Sequence, residues 1–283
     1  MAEILSGAAV TKALNERAQR NVAKLLEHGI IPKLAILRVG AREDDISYER
    51  GAMKRCAAVG VQVENVILPA DVSQDKLLEA VDRLNRDDTV HGVLILRPLP
   101  ETLDGEAVRK ALDPKKDVDG ITDGSLAGVF TGSGEGFAPC TAQACMEILD
   151  YYGIDCSGKR AVVIGRSLVV GKPAAMMLMG KNATVTVCHT RTVDLPSIAK
   201  SGEILIVAAG KAAAIDKAYL SEGQVVIDVG IHVNEAGKLC GDVNFDEAEP
   251  IVGAITPVPG GVGTVTTSVL VGHVVEAALR SIN

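Results

Sequence analysis

Apolar residues recur along this chain with two alternating periods. Val10, Leu14, Ala18, Val22 and Leu25 are spaced for one face of a helix, and Gly29 is placed to end it. The short run Leu34-Ala35-Ile36-Leu37 predicts a strand. A helix from about Asp45 to Val59 follows, stopped by Gly60, and Val61 to Leu68 reads as a second strand. Ser73 suits the N-cap of the next helix, with Leu77, Leu78, Val81 and Leu84 on its inner side. Val93-Leu94-Ile95-Leu96 is a third strand, ended by Pro98 and Pro100. From Asp113 to Pro139 the periodicity lapses into sequence rich in Gly and Asp, which predicts an irregular boundary segment. The pattern then resumes with a helix from Thr141 to about Tyr152, strand 161–164, a helix after Gly171, strand 184–187, a helix from Asp194, strands 204–208 and 225–229, and a last helix from about Thr266 to Leu279.

Strands alternating with helices predict an α/β fold with parallel sheets covered on both faces. The two halves read as two α/β units, with the last helix free to return to the first. No internal repeat or low-complexity tract interrupts them.

Composition narrows the function. With 283 residues, 47% of them hydrophobic, two modest domains or one large one can form a core. Aromatics are 2% with no Trp, too few for a base-stacking platform, and the net charge of -7 argues against a general phosphate-backbone binder; no nucleic-acid partner is expected. None of the six cysteines forms a Cys-x-x-Cys pair, so no metal site is expected and the thiols should be reduced. The N-terminus lacks the basic start and apolar stretch of a secretory signal, and no apolar run looks long enough to span a membrane. A cytoplasmic location with no membrane partner is therefore expected.

One local pattern carries chemistry. The apolar strand Ala161–Ile164 runs into Gly165-Arg166-Ser167-Leu168-Val169-Val170-Gly171-Lys172-Pro173, where Gly171 opens a helix with Pro173 in its first turn. A doubly wound sheet holds a dinucleotide pyrophosphate at such a turn, because glycines let the backbone approach and the helix N-terminus favours negative charge. Ser167 stands where the usual fingerprint has its middle glycine, so this pattern alone fits an ordinary strand–turn–helix equally well. An acid about 20 residues on would hold the ribose 2′-hydroxyl of NAD. Here the second strand ends Cys188-His189-Thr190-Arg191, and Thr190 and Arg191, with Arg166, suit a 2′-phosphate. That favours NADP, with NAD as the alternative.

Taken in order, the motifs resemble the bifunctional methylenetetrahydrofolate dehydrogenase/methenyltetrahydrofolate cyclohydrolase family over essentially the whole chain. They are Lys116-Asp117-Val118-Asp119-Gly120, Pro139-Cys140-Thr141, the Gly165–Pro173 run, Ala183-Thr184-Val185-Thr186 with Cys188-His189, Asp228-Val229-Gly230-Ile231, Gly241-Asp242-Val243 and Thr256-Pro257-Val258-Pro259-Gly260-Gly261-Val262-Gly263. The resemblance implies an N-terminal folate-binding catalytic domain (1–139 with 266–283) and a Rossmann-like NAD(P)-binding domain (140–265), in a homodimer. It implies hydride transfer from 5,10-methylenetetrahydrofolate to the nicotinamide. It implies that Tyr48 and Asp119 lie at the pterin, that Pro257, Gly260 and Gly261 line the substrate site, and that Gly165, Arg166, Ser167, Gly171, Thr190, Arg191 and Ile231 bind the cofactor.

The chain departs from the family at two positions implied to be catalytic. The family's Tyr-x-x-x-Lys places two side chains on one helix face. Tyr48 is present, but the Lys position is Ala52, and Lys54, six residues after Tyr48, is rotated off that face. The family's Gln, which bonds the Lys, is Leu96. Arg97 is next to it, but successive strand residues point to opposite faces, so Arg97 reaches the site only if the strand end twists. An unpaired buried amide costs about 1–3 kcal/mol, whereas replacing both partners by apolar groups can be nearly neutral. The expectation is therefore a dehydrogenase with weak or absent cyclohydrolase activity. The alternatives are a fully bifunctional enzyme that recruits Arg97 or Lys54, and a catalytically silent folate- or nucleotide-binding protein. Ala142, Ala144, His232 and Thr264 are smaller departures, and His232 receives no role.

Overall fold

The computed structural model describes residues 1–282. In chain order the elements are β1 (Glu3–Ile4), α1 (Gly7–Glu27), β2 (Lys33–Val39), α2 (Glu43–Val59), β3 (Gln62–Leu68), α3 (Gln74–Arg86), β4 (Gly92–Ile95), α4 (Gly105–Ala111), α5 (Asp123–Thr131), α6 (Cys140–Tyr151), β5 (Arg160–Ile164) and α7 (Gly171–Gly180). They continue with β6 (Thr184–Cys188), α8 (Leu195–Ser201), β7 (Ile204–Val207), β8 (Val225–Asp228), β9 (His232–Val233), β10 (Leu239–Cys240), α9 (Phe245–Ala248), β11 (Ala254–Ile255) and α10 (Val262–Arg280). The chain divides into two units: Ala13–Cys140 with residues 267–282, and Met1–Lys12 with Thr141–Thr266.

The first unit is built on a parallel sheet in the order β3-β2-β4. The central strand β2 is buried at every position after Lys33, as a continuous apolar run covered on both faces should be. Leu37, Leu77, Val81, Val93 and Ile95 belong to its core. Ser73 caps α3 through the Lys76 amide, as its position predicts.

The second unit is a six-stranded, all-parallel sheet in the order β1-β11-β8-β7-β5-β6. From β5 the chain goes outward to β6 and then returns to β7 on the other flank of β5. The strand order therefore reverses between β5 and β7, which is where open α/β sheets take ligands at the strands' carboxyl ends. Val162, Ile164, Leu205, Val207 and Val226 lie in its core.

The structure corrects several expectations. The stretch 113–139 is not wholly irregular, because α5 lies inside it. Thr122 caps that helix through the Ser125 amide. Gly128 sits within it because a Cβ there would be 1.9 Å from the Glu135 carbonyl oxygen, a packing need that hides the helix from a propensity argument. The last helix begins at Val262, four residues before the predicted start. Residues 1–12 cluster with the second unit, through β1 on β11. Finally, α10 does have the length and mean hydropathy of a membrane span, contrary to the reading of the sequence. Val269, Leu270, Val271, Val274, Val275 and Ala278 on it are buried core residues, which accounts for its composition.

Candidate functional site

In the first unit, the run Lys116–Gly120 is fixed by its own side chains. Lys116 Nζ donates to the carbonyls of Leu84 at 2.8 Å and Asp87 at 2.7 Å, at the end of α3. Asp117 is fully buried and accepts the amides of Ile121 at 3.0 Å and Thr122 at 2.7 Å. Gly120 has φ 70°, and a Cβ on it would lie 2.4 Å from the Pro139 nitrogen. With Lys116 and Asp117 committed to backbone groups, Asp119 is the acid of this run that faces other side chains.

Asp119 Oδ2 lies 3.3 Å from Arg97 Nη2. Burial pushes its carboxyl up to about 6, with Asp117 adding to the rise and Arg97 opposing it. The Tyr48 hydroxyl is raised above its ordinary value by burial, and then by Asp119 and Cys140. Tyr48, Asp119, Cys140 and Arg97 thus share one locus. Tyr48 remains 40% exposed, leaving ring surface for a ligand.

Ala52 and Leu96 are both buried, at 1% and 6% exposure, so the two departures from the family pattern are apolar packing positions. Lys54 is exposed. Arg97 behaves differently from the strand argument: β4 ends at Ile95, so Leu96 and Arg97 lie beyond the regular alternation, and Arg97 reaches Asp119. The sequence reading also missed a buried pair beside Tyr48. Glu49 accepts from Arg38 Nε at 2.8 Å and from Asn65 Nδ2 at 3.1 Å, which fixes α2 against β2 and β3. An Arg inside an apolar strand was the available signal.

In the second unit, the turn after β5 crosses close to its neighbours. Gly165 has φ 122°, and a Cβ on it would lie 2.3 Å from the Ala208 carbonyl oxygen. A Cβ on Gly171 would lie 2.1 Å from the Gly165 carbonyl oxygen. Only glycine fits either place, and the turn meets the N-terminus of α7 at the point of strand reversal. Ser167 Oγ accepts the Val170 amide at 3.1 Å, so it braces the turn and keeps its own proton for a ligand. Arg166, Thr190 and Arg191 are exposed at the ends of β5 and β6. His189 Nδ1 accepts the Arg191 amide at 3.2 Å.

A pocket opens at the end of β8, lined by residues 228–231, Leu239 and the run Pro257–Thr264. It brings together Ile231, Pro257, Gly260 and Gly261. Gly260 has φ 104°, and its carbonyl accepts the Gly7 amide at 2.7 Å. Two buried acids hold the surrounding loops. Asp228 accepts the amides of Gly230 (3.0 Å), Asp242 (3.0 Å) and Val243 (2.9 Å). Burial pushes its carboxyl up to about 6, against those three donors and with Asp242 adding. Asp242 accepts the amides of Gly210 (3.0 Å) and Lys211 (2.9 Å), and its Oδ1 lies 2.7 Å from His232 Nε2. His232, given no role from sequence, thus joins the loops after β7 and β8.

Comparison with known proteins agrees with this geometry. Residues 5–119 match the family model for the tetrahydrofolate dehydrogenase/cyclohydrolase catalytic domain, and residues 139–282 match the NAD(P)-binding domain of the same family. The bifunctional protein FolD of Carboxydothermus hydrogenoformans is 50% identical over 279 residues, which are 98% of this chain and 97% of that one. The structure of bifunctional FolD from Campylobacter jejuni superposes with a TM-score of 0.96 at 36% identity, covering 99% of this chain and 100% of that one. FolD of Trypanosoma brucei, solved with NADP and an inhibitor, gives a TM-score of 0.91 at 35% identity, covering 100% and 99% of the two chains. The chain belongs to the tetrahydrofolate dehydrogenase/cyclohydrolase family.

Proposed function

We propose that this protein oxidises 5,10-methylenetetrahydrofolate to 5,10-methenyltetrahydrofolate, passing a hydride to NADP+. The observation that carries the reading is the presence in one chain of the glycine turn at Gly165–Gly171 and the shielded acid Asp119 beside Tyr48. The glycines let the turn pack closely against its neighbours at the N-terminus of α7, a place that suits a pyrophosphate. Arg166, Thr190 and Arg191 would hold a 2′-phosphate, as expected for NADP over NAD. The Trypanosoma relative was solved with NADP, which supports that choice. When bound, the nicotinamide supplies the redox chemistry. The chain's own residues orient and shield: Asp119 accepts from the aminopyrimidine edge of the pterin, the Tyr48 ring packs on the pterin, and Ile231 with Pro257, Gly260 and Gly261 offers a flat apolar wall.

The second activity has two readings. The relatives named bifunctional match at up to 50% identity over nearly the whole chain, and they favour an enzyme that also hydrolyses the methenyl product to 10-formyltetrahydrofolate. This is the better supported reading. The apolar Ala52 and Leu96 favour the narrower one, in which hydrolysis is slow. One assay separates them: purified protein, 5,10-methylenetetrahydrofolate and NADP+, with NAD+ in parallel, following reduced nicotinamide and methenyl product together. Reduced nicotinamide rising without methenyl accumulating, beyond its spontaneous decay, establishes both activities. The two rising in step leaves the dehydrogenase alone. No reduction with either nucleotide rejects the proposal.

A further inference from the structure

Arg97 is a charged residue in the first unit that the proposed chemistry leaves without a task. It lies one residue beyond Leu96, past the end of β4, where a surface arginine could turn to solvent. Instead its Nη2 is 3.3 Å from Asp119 Oδ2, with side-chain exposures of 40% and 23%. An arginine cannot serve as a proton acceptor near neutral pH, so general-base chemistry is excluded for it. What it can do is act on Asp119.

The groups acting on Asp119 come from four places. Arg97 follows β4, Asp117 precedes Asp119 in its own loop, Cys140 stands at the start of α6, and the Tyr48 hydroxyl on α2 is coupled to it. Burial and Asp117 favour the protonated acid, while Arg97 and the Cys140 thiol favour the carboxylate. Arg97 is the one full positive charge in this set. It engages one side of the carboxylate, which presents about four acceptor positions in all, so positions remain for a ligand.

We propose that Arg97 is a positioning residue for ligand binding: its guanidinium holds Asp119 ionised and fixed as an acceptor for the donor edge of an aminopyrimidine ring. This rests on the reading of Asp119 as a substrate-binding residue. Without the guanidinium, Asp119 keeps its proton to higher pH, and the protonated acid offers the ring one acceptor fewer. A lysine at the same place keeps the charge and should preserve most of the effect.

The test is calorimetric binding of tetrahydrofolate to the intact chain from about pH 5.5 to 8.5, bracketing the Asp119 value of about 6. Wild type, R97L, R97K, D119N and R97L/D119N are compared. In R97L the pH at which binding falls away moves up by about one unit, the lower end of what an opposite charge at this range supplies. R97K stays near wild type. D119N binds weakly with no inflection, and adding R97L to it changes nothing further. An R97L profile that overlays wild type, or R97L weakening D119N as much as it weakens wild type, overturns the proposal while leaving Asp119 as a binding residue. Wild type binding no better than D119N overturns the reading of Asp119 itself, and the proposal with it.

Discussion

Asp117, Asp119, Asp228 and Asp242 carry the same side chain and do different work, decided by which donors reach them. Asp117 is spent on two amides at the start of α5. Asp117→Ala leaves those amides unsatisfied in a buried place, which should cost about 2–3 kcal/mol; the urea midpoint should fall with the slope unchanged. Burial pushes the carboxyls of Asp119 and Asp228 up from 3.8 to about 6. Between about pH 4 and 6 the folded chain therefore binds protons that the unfolded chain has released. The contribution of these two acids to stability is largest below that window, falls as pH rises through it, and is level above. Urea midpoints across the window should show D119N losing its share of that slope. None of these roles was visible residue by residue. Asp119 came from a family resemblance, and for Arg97 the residue pattern set only a condition, that the strand end twist; the regular strand ends at Ile95, and Arg97 reaches Asp119.

At the scale of elements, the helices α1, α2 and α3 were legible because burial on one face writes itself into spacing, and the strands β2, β5 and β7 because burial on both faces writes a short continuous apolar run. The two-residue strands β1 and β11 were not, since two residues carry no period. Helix α5 was hidden by Gly124 and Gly128, each required by a close neighbour. The turn between β5 and α7 was legible as glycines at the right spacing, but its reason is steric and nonlocal. Gly171→Ala places a methyl 2.1 Å from the Gly165 carbonyl oxygen, so the turn must open. The KM for NADP+ should rise at least about tenfold, equivalent to ~1.4 kcal/mol, while tetrahydrofolate binding by calorimetry stays unchanged. Equal loss of both would mean that the substitution unfolds the chain and does not simply reshape the cofactor turn.

For the whole molecule, two α/β units were predicted by the alternation of strands and helices, and the chain divides into two units, each with a parallel sheet. Binding that favours the native state should raise stability by about 2.7 kcal/mol at a hundredfold excess of NADP+ over its Kd; a thermal melt with NADP+ against NAD+ checks the nucleotide choice, equal shifts counting against NADP. The pair Ala52 and Leu96 gives a second test. Ala52→Lys or Leu96→Gln alone buries an unpaired polar group and should each destabilise by about 1–3 kcal/mol. The double variant should be less destabilised than the sum, and its methenyl hydrolysis should rise above wild type. A double variant with no gain in hydrolysis would show that these positions do not limit the second step.

The two units have a property that bears on how the chain is made. Each is assembled from separated pieces: residues 1–12 wait for 141–266, and 13–140 wait for 267–282. A growing polypeptide that has emerged as far as Cys140 has finished neither. Its β1 has no β11 to pair with, and Gly92 on β4 still lacks the Val274 side chain that later lies against it. Folding of the first unit during synthesis therefore cannot run to completion ahead of the second, as it does for domains laid end to end. The second unit can close once residue 266 has emerged, and the first only after residues 267–282 follow it, so the unit begun first is the last to be finished.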